Sequence, residues 1–453
     1  MKTEPNDDTA QLKSAIEGFW DLAAARAAGL HKSYDSKSGS PVFTVNGKYT
    51  TRGWTEWTQG FQFGIPLLTF LATGDKEMLE IGRSSTQSKM AHHLTHFGVH
   101  DHGFNNLSTY GNLLRAANMG LFDCPEGEKE YYRLAIKTSG AVQAKRWTRV
   151  KEGGFIYSFN GPHSLFIDTM RTARILLASH QLGHRMMEEG DVEVSLLERA
   201  LVHGLTTARY AVYYGEGRDR YDIKGRTAHE SIFNTNDGNY RCPNSQQGYS
   251  GYTTWTRGLS WAMLGFAEFL EYMDAHNDGS DLVGNCREVS LKAARATCDF
   301  YMDHAASDGI PYWDTGAPNL HRLGRYQDMP SDPFNAYEPV DSSAAAIAAQ
   351  GFLRLGSYLE KTDITQAAAY TKWGWKILNT LLSEPYLATE DKHEGLLLHS
   401  VYHHPNGWDH VPEGQSVPCG ESSMWGDYHM AELCYTARQL LEERPYSFFS
   451  DLN

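Results

Sequence analysis

A closed ring of paired α-helices is the all-α architecture that three features of this 453-residue chain predict. Apolar residues recur at three- and four-residue spacing along most of its length. Strand-like alternation is confined to short pieces such as GGFIYSFNG at 153–161. Short connections alternate with long ones rich in Trp, Tyr, His, Asn and Gly. Helices that return in pairs would gather those long connections at one end, where they could build a single site.

The helical segments follow in order. DTAQLKSAIEGFWDLAAARAAG (8–29) opens the series. EVSLLERALVHGLTTARYAVYYG (193–215), LSWAMLGFAEFLEYMDAH (259–276) and REVSLKAARATCDFYMDHA (287–305) continue it. SSAAAIAAQGFLRLGSYLEK (342–361) and TQAAAYTKWGWKILNTLLSE (365–384) complete the clearest cases. Gly or Asp/Asn clusters punctuate them, and the pattern predicts about a dozen helices in all. The long loops are expected at 40–57, 96–112, 147–168, 217–258, 308–341 and 401–428. No Pro/Ser-rich linker divides the chain, so one domain over residues 1–453 is expected, its helix pairs too divergent to form a sequence repeat.

Composition narrows the function. With 41% hydrophobic and 21% charged residues the chain is globular. A net charge of −14 argues against a nucleic-acid surface, and an anionic substrate must be read by a few local groups. Aromatic residues make up 12%, including 11 Trp and 25 Tyr, which suits either a Tyr-rich helical core or rings that stack on sugars. The six cysteines form no CxxC pair and are expected as free thiols in a reducing compartment. MKTEPNDDTAQLKSA has no apolar signal core, and FGIPLLTFLATG is too short to span a bilayer. The expected setting is the cytoplasm, with the periplasm as alternative, no membrane partner, and a monomer or homodimer.

Two aspartates stand out. Asp101 in GVHDHGFNNLSTYGNLLRAA and Asp168 in SLFIDTMRTARILLASHQLG are each the only acid in an apolar stretch that leads into a helical pattern. Either could be a helix cap. Either could instead be a partly buried carboxyl that holds a proton near neutral pH, as glycosidic-bond cleavage requires. Leu165, Phe166 and Ile167 are expected to raise the pKa of Asp168. The functional reading requires positions 101 and 168 to share a cavity.

The richest polar segment is HESIFNTNDGNYRCPNSQQGYSGYTTWTRGLSW. It holds His229, Gln247, Trp255, Arg257 and Trp261. Trp offers a stacking face, and Arg and Gln offer donors for a carboxylate or hydroxyls; Arg257 stacked on Trp as a structural corner is the competing reading. Trp57 is another loop-end aromatic, and Asp427 is expected as a cap. His92, His93, His96, His100 and His102 are dense, as are His403 and His404, yet no HExxH or Cys/His zinc spacing appears. GxGxxG, GxxxxGK[ST] and GxSxG are absent. No metal and no cofactor is expected.

These motifs resemble the unsaturated glucuronyl hydrolases, family 88 of the glycoside hydrolases. The resemblance runs in order through WTQGF at Trp57, HDHGF at Asp101, FIDTM at Asp168, His229, QGYSGYTTWTRGLSW, PYWD at Asp314, DSSAAAIAA from Asp341 and WGDYHMAE at Asp427. It implies an (α/α)6 barrel and an enzyme that removes a terminal 4,5-unsaturated uronic acid from lyase-made oligosaccharides. It implies Asp168 as general acid/base and Asp101 as second essential carboxylate. It implies His229, Gln247, Trp255, Arg257 and Trp261 as substrate-binding positions, with Trp57 and His100 in the pocket wall. The chain departs from the family pattern at His102, Asn105, Asn106 and Gln246, which bears on the uronate and linkage accepted.

The implied chemistry is protonation of C4 of the enol ether by Asp168 and addition at C5, with Asp101 raising the proton affinity of Asp168 by like-charge repulsion. Arg257 and Gln247 would orient the uronate while Trp255 and Trp261 stack on the ring. Three alternatives remain at this level. One is an inverting exo-β-uronidase using the same two acids. Another is a uronate lyase using His229 with Tyr249. The last is a non-catalytic sugar-binding toroid or an epimerase.

Overall fold

The computed structural model describes residues 7–34, 39–52, 56–444 and 446–452. Residues 1–6, which begin the stretch read above for a signal core, and 53–55 of the first long loop lie outside it.

Six helical runs form an inner ring: Gln59–Thr73, 102–118, 169–181, Thr256–Ala275, Ser342–Leu359 and Met424–Leu441. Each touches the next, and the last packs on the first, so the ring closes. Six outer helices surround it: Asp7–Ser33, Lys76–Lys89, Glu126–Lys145, Leu196–Tyr210, Asp281–His304 and Ile364–Leu381. The fold is the all-α (α/α)6 barrel.

Sequence pattern decides which helix goes where. Thr256–Ala275 is buried on nearly every side, with Leu259, Trp261, Met263, Phe266 and Phe269 spread around its circumference, so it belongs inside. Asp281–His304 buries Val283, Cys286, Ser290, Ala293, Thr297 and Tyr301, a single face at three- and four-residue spacing, and its other face meets solvent. Side-chain caps start several of the outer helices named: Ser195 accepts from the Glu198 N–H, Ser280 from Val283 and Asp363 from Gln366. The Ser195–Glu198 spacing is that of a capping box.

Connections from an inner helix to the following outer helix are generally the shorter ones; the first is only Gly74 and Asp75. Connections from outer to inner are long, and they bring all six inner N-termini to one rim. The second long loop ends earlier than expected, because a helix already begins at His102. That run is interrupted by a π-helical turn, Leu107–Gly111. The strands are short and lie in these loops and one shorter connection. The three-stranded sheet matters most for the site: Ser164–Phe166 pairs antiparallel with Glu230–Phe233, which pairs with Tyr240–Asn244.

All six cysteines are free thiols. Among the described residues no helix is long and apolar enough to cross a membrane. Nor does any group of three or more His, Cys, Asp or Glu stand ready to hold a metal ion. On the barrel axis, Arg171 and Arg174 pair with Glu268 and Glu432 at 2.8–3.5 Å, all four fully buried. Losing one partner from such a network would strand a buried charge, so it binds three inner helices to one another.

Candidate active site

Asp101 and Asp168 each sit immediately before an inner helix, in the N-cap position, and neither carboxylate makes a capping bond. The capping reading therefore fails for both. The two helices approach backbone to backbone at Gly103, where a Cβ would lie 2.1 Å from the Thr172 carbonyl oxygen. Only glycine permits that approach, and it is what brings the two acids together. They line one cavity of about 310 Å³, at the rim where the inner N-termini converge.

His100 joins them. Its Nε2 lies 3.8 Å from Asp101 Oδ1 and 3.7 Å from Asp168 Oδ2. Among the described residues neither ring nitrogen has a hydrogen-bond partner, and Asp168 Oδ1 is likewise unpartnered. Burial lowers the His100 pKa, but the two carboxylates outweigh it and the net shift is upward. Burial raises Asp101, and the charge of Asp168 adds to this while His100 opposes it; the net shift is upward.

Asp168 corrects an expectation. Its apolar neighbours do raise it through burial, but His100 and then His229 more than cancel that, and its carboxyl lies below the ordinary range. The raised carboxyl of the pair is Asp101. An imidazole placed between two acids outweighs a greasy triplet beside one of them.

His229 is positioned by the sheet. The register Phe166↔Glu230 continues through an Ile167 N–H donated to the His229 carbonyl at 2.9 Å, which sets His229 opposite the Asp168 turn. Its Nδ1 accepts from the Gln246 and Gln247 N–H groups at 3.1 and 3.2 Å. Burial, opposed by Asp168, lowers its pKa to about 4, so the ring is neutral and Nε2 carries the hydrogen. That Nε2 has no partner. His229 sits just behind the wall, its ring 4.6 Å from Trp255.

Arg257 lines the cavity but its guanidinium is committed to protein. Nη1 donates to Asp341 Oδ2 at 2.6 Å and to the Val401 carbonyl at 2.5 Å; Nη2 donates to Gln247 Oε1 at 2.9 Å and the Tyr402 carbonyl at 2.8 Å. It lies over the Trp255 ring at 4.6 Å and Trp425 at 5.1 Å. The structural-corner reading fits this better than direct reading of the uronate. Arg257 also orients Gln247: with Oε1 occupied, the amide N–H₂ is the group left for a ligand.

The remaining expected residues converge too. Trp57 stacks on Trp425 at 5.0 Å, and Trp261 packs on Phe104 at 4.8 Å; both tryptophans line the cavity with Trp255. Two minor expectations fail. Asp427 is not a cap: Ser423 caps that helix, and Asp427 accepts from the Tyr49 hydroxyl and the Leu396 and Leu397 N–H groups. Tyr249 is half exposed and does not line the cavity with His229's neighbours, so no His229–Tyr249 pair forms there. Gln246, already marked as a departure from the family pattern, lines the cavity, as do Phe159, Tyr402, His403, Asn406 and Trp408, which sequence reasoning did not single out as site residues. The adjacent His403 and His404, in a loop already expected at the site, were the available signal.

Known proteins resemble this chain over most of its length. An unsaturated glucuronyl hydrolase of Bacillus sp. (strain GL1) is 25% identical over 425 residues, covering 91% of this chain and 95% of that protein. An unsaturated chondroitin disaccharide hydrolase of Streptococcus pyogenes serotype M1 is 22% identical over 417 residues, covering 90% and 88%. The solved structure of the unsaturated glucuronyl hydrolase from Bacillus sp. GL1 superposes with a TM-score of 0.68 at 23% identity, covering 93% of this chain and 97% of that one. The family model described as Glycosyl Hydrolase Family 88 matches residues 32–294, more than half of the chain, and the chain belongs to that family.

Proposed function

We propose that this enzyme removes a terminal 4,5-unsaturated uronic acid from oligosaccharides made by polysaccharide lyases, using Asp168 and Asp101. The observation that carries the reading is a single buried imidazole standing between two uncapped carboxylates in one aromatic-walled cavity.

The substrate's C4=C5 bond is part of an enol ether. A proton goes to C4, positive charge develops at C5 and the ring oxygen, and water adds its oxygen at C5 and gives up its proton. The resulting hemiketal opens, and the bond from C1 to the leaving sugar breaks as that sugar takes a proton. Asp168 delivers the first proton. In the free enzyme His100 keeps it ionised. The entering uronate adds negative charge beside it, which raises its proton affinity and draws a proton from the Asp101–His100 pair. Trp255 and Trp261 exclude water from the ring, and the Gln247 amide N–H₂ is the donor offered to the uronate or its hydroxyls.

The conjugated uronate absorbs ultraviolet light. Incubation with lyase-made unsaturated disaccharides is expected to abolish that absorbance. A rise in absorbance on intact polysaccharide would instead mean a lyase. Release of a saturated uronate with no change would mean an exo-β-uronidase.

A further inference from the structure

Arg146 follows the Glu126–Lys145 helix and is buried within electrostatic reach of His100 and Asp101. Its Nη1 donates to the Phe97 carbonyl, Nε to the Tyr157 carbonyl at 3.1 Å and Nη2 to the Ser158 carbonyl at 2.7 Å. Its guanidinium lies 4.3 Å from the Tyr157 ring centroid. Phe97 is three residues before His100. Ser158 precedes Phe159, which lines the cavity and stacks on the His100 ring at 5.9 Å. One side chain therefore fastens together the two loops that carry His100, Asp101 and Phe159.

Among the described residues Arg146 makes no ion pair of 4 Å or less. A buried cation without a paired anion is costly, and neutral carbonyls only partly repay the loss of water. Its charge is balanced at longer range by the site itself, where it acts on both His100 and Asp101. The other charged or titratable groups facing these two are Asp168, His96, His102, His203 and His229; burial lowers His203 to about 3 and His102 and His229 to about 4, so those three are neutral.

We propose that Arg146 is a positioning residue for this reaction. It holds the His100–Asp101 loop against the 157–159 loop, and it is the fixed positive charge that lets an anionic sugar enter beside two carboxylates. The proposal rests on the function proposed above.

The test compares Arg146→Gln and Arg146→Lys. In Arg146→Gln the lost cation favours the protonated forms of Asp101 and His100. Both limbs of the kcat/KM profile are then expected to move up by about half a pH unit, and KM for an unsaturated disaccharide to rise roughly tenfold. Arg146→Lys keeps the charge but cannot hold three carbonyls from one fork, so its profile is expected to stay in place while kcat falls roughly tenfold. A Gln profile that coincides with wild type overturns the proposal, as does wild-type kcat in the Lys variant, which carries the test alone if the Gln variant does not fold. Carbon-13 titration of the Asp101 carboxyl in the folded Gln variant, or in the Lys variant should Gln not fold, reads the charge effect without turnover. An upward-shifted midpoint in Gln, and an unshifted one in Lys, supports the proposal, and the reverse of either overturns it. Absence of turnover in the wild type would strike the proposed function and leave this titration to judge Arg146.

Discussion

Replacing Arg257 with Lys separates a residue that holds the site together from one that reads the substrate. Four hydrogen bonds of 2.5–2.9 Å leave its two terminal nitrogens, reaching Asp341, Val401, Tyr402 and Gln247. An ammonium can keep the Asp341 contact and one carbonyl, leaving two acceptors unmet at about 1–3 kcal/mol each. Loss of the guanidinium over Trp255 and Trp425 adds about 1 kcal/mol. The total is about 3–7 kcal/mol. For a chain of this length the unfolding entropy is about 1 kcal/mol/K, so the expected fall in Tm is about 3–7 °C by calorimetry. The 401–402 segment and the Gln247 amide both lose their anchor, so kcat/KM is expected to drop at least tenfold, with kcat falling as well as KM rising. An unchanged Tm accompanied by a rise in KM alone would refute the argument and return Arg257 to direct contact with the uronate.

Other perturbations follow from the same geometry. Asp168→Asn is expected to cut turnover by about 10²–10⁴ while calorimetry still detects binding of the unsaturated disaccharide; wild-type turnover would remove Asp168 from the mechanism. Gly103→Ala forces a methyl to within 2.1 Å of the Thr172 carbonyl, so the two acid-bearing helices must part. About 1–3 kcal/mol of stability and roughly 10²-fold in kcat should be lost, and a variant with native Tm and rate would show that the helices can slide apart harmlessly. Stability should fall as pH drops from about 6.5 to 4. Burial lowers His93 and His203 to about 3, and His102, His229, His399, His403 and His429 to about 4, so below the ordinary histidine pKa the unfolded chain binds protons that the native one refuses. Asp314, Asp409 and Asp427, raised by burial to about 6, oppose this by gaining stability as they protonate, but they are fewer. Unfolding at pH 5 should therefore take up roughly two to four protons, and a Tm that held or rose between pH 6.5 and 4 would contradict the assignment.

Much of this enzyme is written locally. The 3.6-residue periodicity sorted helices from loops. The alternation of long and short connections placed the site at one rim, because a chain that returns in pairs has no other place for its long loops. Asp101, Asp168 and the tryptophans were legible because an isolated acid in an apolar frame, or a Trp at a loop end, departs from what packing alone would choose.

What the chain could not state was which groups meet across hundreds of residues. Arg257 looked like a ligand for a carboxylate until folding placed Asp341 and the 401–402 carbonyls within its reach. Asp168 looked like the raised acid until His100 came to stand between it and Asp101. The axial Arg171–Glu268–Arg174–Glu432 cluster and the cavity wall at Phe159, His403 and Trp408 likewise exist only once the ring has closed. Periodicity and burial are properties of neighbours along the chain. Proton affinity and hydrogen-bond commitment are set by charges and acceptors a few ångströms away, and in a closed barrel those come from the far side of the sequence.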